Sequence, residues 1–237
     1  MSSMRTGTTG SAGLDAATNT WPTTRRSPPR RRIQRSGVSG LFVTGLVLAA
    51  GGSRRLGEPK QVLAYRGGTL LDATLSAVRG CGFDQILVTL GAASEQVRSS
   101  VDLKTVEVIE NPEHATGCSS SISAALRSVD ARADGLVLLL GDQPGINPAD
   151  VARLMLEGNS PMAVCRYDDG LGHPMWFRRD MFVELSQLHG DKAVWRLLHS
   201  GRYDVREVPV EGDIPVDVDT WQDYEALLAH DRPRTNR

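Results

Sequence analysis

The chain has 237 residues, 40% hydrophobic and 23% charged, enough for one α/β domain with a full core. Its net charge of −1 is uneven, because residues 1–40 hold seven arginines and one acid, Asp15, leaving 20 basic against 27 acidic residues elsewhere. An acidic folded part argues against nucleic acid as the main partner, no apolar run is long enough to span a membrane, and Cys81, Cys118 and Cys165 lack zinc-ligand spacing and favour a reducing cytoplasm.

Residues 1–40 are rich in Ser, Thr, Gly, Pro and Arg and read as a disordered basic tail. A domain over 41–230 follows, then a second disordered end at 231–237. Arg30-Arg31-Arg32 before the apolar stretch 41–50 imitates a secretory or twin-arginine signal. Cleavage near Ala50 would cut a loop that runs unbroken to Lys60, so the apolar stretch is read as the first core strand.

That strand is predicted at 42–48. Behind it comes Leu48-Ala49-Ala50-Gly51-Gly52-Ser53-Arg54-Arg55-Leu56-Gly57-Glu58-Pro59-Lys60. Small residues let backbone N–H groups approach a phosphate, and Arg55 and Lys60 can neutralise it. The spacing is neither G-x-x-x-x-G-K-[ST] nor G-x-G-x-x-G. A helix is predicted at 69–78, a strand at 85–90, a short helix from Ser94, and a strand at 105–109.

The loop 111–121 leads into a helix at 119–129 whose first turn is rich in hydroxyls. Asn111, Gly117 and Ser120 there can hold a base or ribose, or simply cap the helix. A strand at 135–140 ends in Gly141-Asp142-Gln143-Pro144, where Asp142 suits a hard cation or is an ordinary turn residue. A helix runs from Pro148 to near Gly158, then strands at 162–167 and 174–177, the second pairing beside the first. Between them, Gly170-Leu171-Gly172-His173 reads as a flexible loop that presents His173, a structural imidazole or, given the glycines around it, one that a ligand approaches closely. Helices follow at 179–187 and 192–199. Asp191 opens the latter and either lines an acceptor pocket or merely starts the helix.

A strand is predicted at 205–210 and a final helix, capped by Thr220, to about 229. Alternation in Pro215-Val216-Asp217-Val218-Asp219-Thr220 puts Asp217 and Asp219 on one strand face, with Asp217 favoured to complete a metal site with Asp142. Strands alternating with helices imply an α/β fold, a mostly parallel sheet with helices on both faces, and ligands at the strands' carboxyl ends. The informative loops are then those after Leu48, Ile109, Leu140 and Val218.

Together these motifs resemble the molybdopterin-type (MobA-like) nucleotidyltransferases, most closely the molybdenum cofactor cytidylyltransferase branch, from Leu46 to Tyr224. The pattern L-A-A-G-x-S-x-R-x-G-x-x-K is followed in order by N-P, G-D-x-P, G-H-P, G-D and D-V-D-T elements. The resemblance implies a single Rossmann-like nucleotidyltransferase domain of GT-A type that moves CMP from CTP to a molybdopterin acceptor and releases pyrophosphate. Arg55, Lys60 and Asp142 would be catalytic. Leu48, Ala49, Ala50, Gly51, Gly52, Ser53, Lys60, Asn111, Gly117 and Ser120 would bind nucleotide. His173 and Asp191 would face the acceptor, and Asp142 and Asp217 would hold magnesium (Mg2+). An apo molybdoenzyme is a possible downstream partner. The chain departs from the family by lacking the second Gly of G-D-x-G-x-R, by placing Trp195 where Arg is expected, and by Trp221 in place of Pro. Ala49-Ala50-Gly51 leans towards CTP over GTP. Competing readings are a transferase with GTP or another acceptor, an NAD(P)H-dependent reductase of the nicotine-blue type, and a non-catalytic cofactor chaperone.

Overall fold

The computed structural model describes residues 40–231. The expected tails at 1–40 and 231–237 therefore lie outside the described residues, except for Gly40 and Asp231. Asp231 accepts from the Arg66 guanidinium at 2.6 Å through both carboxylate oxygens.

Strands and helices alternate as β1 (Val43–Leu48), the short hairpin β2 (Ala64–Tyr65) and β3 (Gly68–Thr69), α1 (Leu70–Arg79), β4 (Gln85–Leu90), α2 (Ser94–Ser100), β5 (Glu107–Glu110) and α3 (Cys118–Leu126). Then come β6 (Gly135–Leu140), α4 (Pro148–Leu156), β7 (Met162–Tyr167), β8 (Gly170–Arg178), α5 (Phe182–Ser186), α6 (Ala193–Leu198), β9 (Val205–Pro209) and α7 (Trp221–His230). Seven strands form one sheet in the order β5-β4-β1-β6-β8-β7-β9, parallel except for β8, which runs antiparallel to both neighbours.

The central strands are apolar on both faces because both are covered. In β6, Val137 and Leu139 join the cluster containing Leu71, Leu75, Val97, Val151 and Leu154 of α1, α2 and α4. Leu136 and Leu138 join the opposite cluster with Ile122, Leu126, Leu185, Val194 and Leu197 of α3, α5 and α6. Gly135 is glycine for want of space: a Cβ there would lie 2.2 Å from the Trp176 ring across the ladder. α1 begins on a reciprocal capping box, with Thr69 and Asp72 each satisfying the other's backbone N–H.

Two expectations are corrected. The stretch 170–173 is part of β8, where Cys165 pairs with Gly172 while Val164 pairs with Met175. His173 and Pro174 fall in that register shift. A proline, having no N–H to donate, is tolerated at such a bulge, and a bulge re-aims its side chains. The segment 215–219 forms no strand, so no strand face aligns Asp217 with Asp219. Val218 alone turns inward, fully buried, while Val216 stays 48% exposed. Val218 belongs to a third cluster that joins α7 to the first loop through Leu56, Leu63, Tyr65 and Leu70.

Candidate active site

The loop after β1 is organised by its own polar groups. Ser53 adopts φ +47, its carbonyl accepts from the N–H of Leu56 and Gly57, and its Oγ accepts from the N–H of Lys60 at 2.9 Å. Gln61 donates from Nε2 to the carbonyls of Ala49 and Gly51. The N–H groups of residues 50–53 meet no protein acceptor among the described residues. A run of free backbone donors backed by a lysine is an anion cradle.

Lys60 stands 14% exposed, its Nζ donating to Asp142 and, at 2.8 Å, to Asp219. Burial pulls its pKa down, but the Asp142 charge and the hydrogen bonds to both carboxylates outweigh this and hold the ammonium above its ordinary value. Arg55 pairs with the same Asp219. Burial raises the Asp219 carboxyl, yet Lys60 and Arg55 win and keep it below the usual range.

Asp142 follows β6, with the neighbouring Gly141 N–H bonded to Leu48 O at 2.9 Å, which ties the carboxylate's loop to the phosphate loop. Asp217 lines the same cleft. Burial, then the Asp142 charge, pushes its carboxyl up to about 6. Beside it the buried Gln143 donates to Pro215 O and leaves its Oε1 without a partner among the described residues. Two mutually repelling carboxylates fit a hard divalent cation, which needs few protein oxygens when phosphate and water supply the rest. Among the described residues, no group of three or more His, Cys, Asp or Glu side chains is placed to hold a metal.

The opposite wall joins the start of α3 to the start of α6. Gly117 has φ +113, and a Cβ there would lie 2.8 Å from Asp191 Oδ1. Asp191 accepts from the Cys118 N–H at 3.0 Å, so it caps α3 from another part of the chain. His173 meets Trp195 edge to face at 5.9 Å, and Trp195 stacks on His199. Burial pushes His173 down to about 4, so its imidazole is neutral at ordinary pH.

These walls enclose a cleft of about 750 Å³. It brings together Leu48 to Ser53, Arg55, Lys60, Gly117, Asp142, His173, Asp191 and Asp217. Asn111 and Ser120 are not in its lining. Asn111 is 3% exposed and donates to the hydroxyls of Ser120 and Ser121, while Ser120 donates to the Glu113 and Gly117 carbonyls. They build the loop that carries Gly117. Sequence reasoning passed over Gln61, Ala92, His114, Ser121 and Trp195 as site residues. Ala92 follows the carboxyl end of β4, the place where such sheets bind ligands, and was therefore within reach.

The MobA-like NTP transferase domain matches residues 45–206. The purine catabolism protein PucB of Bacillus subtilis is 28% identical over 78% of this chain and 96% of its own length. The molybdenum cofactor cytidylyltransferase of Escherichia coli is 28% identical over 76% of this chain and 92% of its own. Among solved structures, Rv0371c of Mycobacterium tuberculosis is 50% identical with a TM-score of 0.76, covering 81% of this chain and 100% of its own. The same protein is also known as a manganese complex, 48% identical with a TM-score of 0.72 and covering 79% of this chain and 98% of that one. With the family model matching residues 45–206, this chain belongs to the MobA-like NTP transferase family and has a nucleotidyltransferase fold.

Proposed function

We propose that the protein moves CMP from CTP to a phosphorylated acceptor of the molybdopterin type and releases pyrophosphate. The observation that carries the reading is Lys60, rising from a loop of free N–H groups to meet Asp142 across the cleft. A terminal phosphate oxygen of the acceptor attacks the α-phosphorus of CTP, and the bond from that phosphorus to the β-phosphate oxygen breaks. The attacking group is already anionic, so no strong base is needed. Arg55, Lys60 and the free N–H groups of 50–53 bind the triphosphate and offset charge on the departing pyrophosphate.

Asp142 and Asp217 would hold a divalent cation, magnesium in this reading, whose chemistry when bound is charge stabilisation on phosphate oxygens. The cleft lining sets Asp142, Asp191, Asp217 and Asp219 against Arg54, Arg55, Lys60 and Lys192, an even balance, so a triphosphate entering it needs added positive charge. The neutral His173 and Trp195 face the acceptor, where they recognise a ring or hydroxyl without adding charge. The preference for CTP rests on Ala49-Ala50-Gly51 and on the cytidylyltransferase relative.

Incubation with each of the four NTPs, magnesium and molybdopterin tests the proposal by pyrophosphate release. CTP should give the fastest release, and only with acceptor present. A yellow protein that reduces a dye with NAD(P)H, or one that binds pterin and releases no pyrophosphate with any NTP, would overturn it.

A further inference from the structure

One side chain holds the phosphate loop from behind. Gln61 donates from Nε2 to the carbonyls of Ala49 at 2.8 Å and Gly51 at 3.0 Å. Both partners are acceptors, so the amide nitrogen has to face them and the orientation of the group is forced. Gln61 is 3% exposed, and its Oε1 has no partner among the described residues. A buried oxygen without a partner is costly to keep. A side chain retained only to fill space would carry none. What Gln61 offers beyond an apolar residue of equal size is its pair of donors.

Those donors act on the backbone. A trans peptide is planar, so a carbonyl turned toward Gln61 sends the following N–H the opposite way. The Ala49 and Gly51 carbonyls therefore aim the N–H groups of Ala50 and Gly52 away from Gln61. Neither N–H has a protein acceptor among the described residues, and a Cβ at Gly52 would meet nothing within 4 Å. Gln61 also shares the single 3-10 turn Lys60–Val62 with the lysine whose ammonium enters the cleft. One short turn thus sets both the cation and the amides.

We infer that Gln61 is a positioning residue that presets the peptides of 49–52 to receive the polyphosphate of the nucleotide. This rests on the nucleotidyltransferase reading above. The test compares the wild-type full chain with Gln61→Met, which keeps the volume and loses both donors, and Gln61→Glu. Calorimetric titration uses magnesium pyrophosphate and magnesium CTP as probes, with steady-state kinetics and thermal melts alongside.

The expected result for Gln61→Met is a loss of roughly tenfold or more in affinity for both probes, with the acceptor KM nearly unchanged. A purely structural defect would move both substrates together. If Gln61→Met fails to fold, Gln61→Glu carries the test, because its carboxyl donates only when protonated. Its pyrophosphate affinity, relative to wild type, should then rise as pH is lowered. Wild-type affinity in both variants would overturn the inference while leaving the function intact. A wild-type protein that binds neither probe would overturn the nucleotide reading and this inference with it.

Discussion

Lys60 connects the phosphate loop to two carboxylates, and its side chain is sheltered where that of Arg55 is 65% exposed. An exposed ion pair contributes little to stability, so Arg55 is free to exchange Asp219 for phosphate oxygens at small cost. Lys60→Ala and Arg55→Ala are each expected to lower turnover by roughly a hundredfold or more, the scale of losing one preorganised charge-stabilising contact. The loss should appear with every acceptor tried, and steady-state kinetics with two acceptors would check it. The carboxylates divide differently. Asp219 is engaged by two cations, whereas Asp217 is pushed up to about 6 by burial and by Asp142. Asp217→Asn should therefore weaken manganese binding by calorimetry far more than Asp219→Asn. The reverse order would give the metal to Asp219.

At the scale of elements, β8 decides what the wall of the cleft around His173 presents. It was only partly legible in the sequence. Pro174 to Phe177 are all apolar, so a strand is visible there, but the glycines at 170 and 172 suggest a loop. Gly172 is in fact glycine because Ile214 lies 3.0 Å from where its Cβ would be. Close packing and a flexible turn leave the same mark on a sequence. The loop after β1 was legible because an apolar run gives way to small residues at Ala49. Asn111 and Ser120 fall outside the cleft lining, because a polar side chain that serves a loop looks in the sequence like one that serves a ligand.

The bulge in β8 also fixes a pH dependence. The folded pKa of His173 is depressed from 6.5 to about 4 by burial. The unfolded chain then binds more protons between those values, so stability is full above about 6.5 and is lost as pH falls towards 4. The full effect is on the order of 2–3 kcal/mol. Urea unfolding of wild type and His173→Asn across this range should show the smaller slope in the variant. Equal slopes would mean that the imidazole is not buried in its neutral form.

At the scale of the whole molecule, the family match ends at residue 206, yet the site does not. Asp217 and Asp219 come from the stretch beyond it, and α7 anchors them. Val218 is fully buried with Leu56, Leu63, Tyr65 and Leu70, and Tyr224, Leu227 and Leu228 pack against the same cluster. Trp221 adds a hydrogen bond from Nε1 to Leu56 O at 3.1 Å. The C-terminal segment is thus a wall of the cleft and a cover for the β2–β3 hairpin and the loop after β1. At the other end, β1 is already paired on both edges, by β4 and β6. Deleting residues 1–39 should therefore leave melting temperature and CTP binding as they are. Deleting residues 215–237 should not. Losing Val218 alone removes about 1.5–3 kcal/mol of burial, and a fall in Tm of roughly 5–10 °C is expected once the partly buried residues of α7 are included. Folding should survive, because the two large clusters on the sheet faces draw nothing from this segment except the partly buried Ile214, which this deletion spares. Magnesium-dependent turnover should vanish, since one proposed metal ligand and the partner of Arg55 go together. A shortened protein that still turned over CTP with magnesium would show that residues 45–206 hold a complete site, and Asp217 would have to be withdrawn from it.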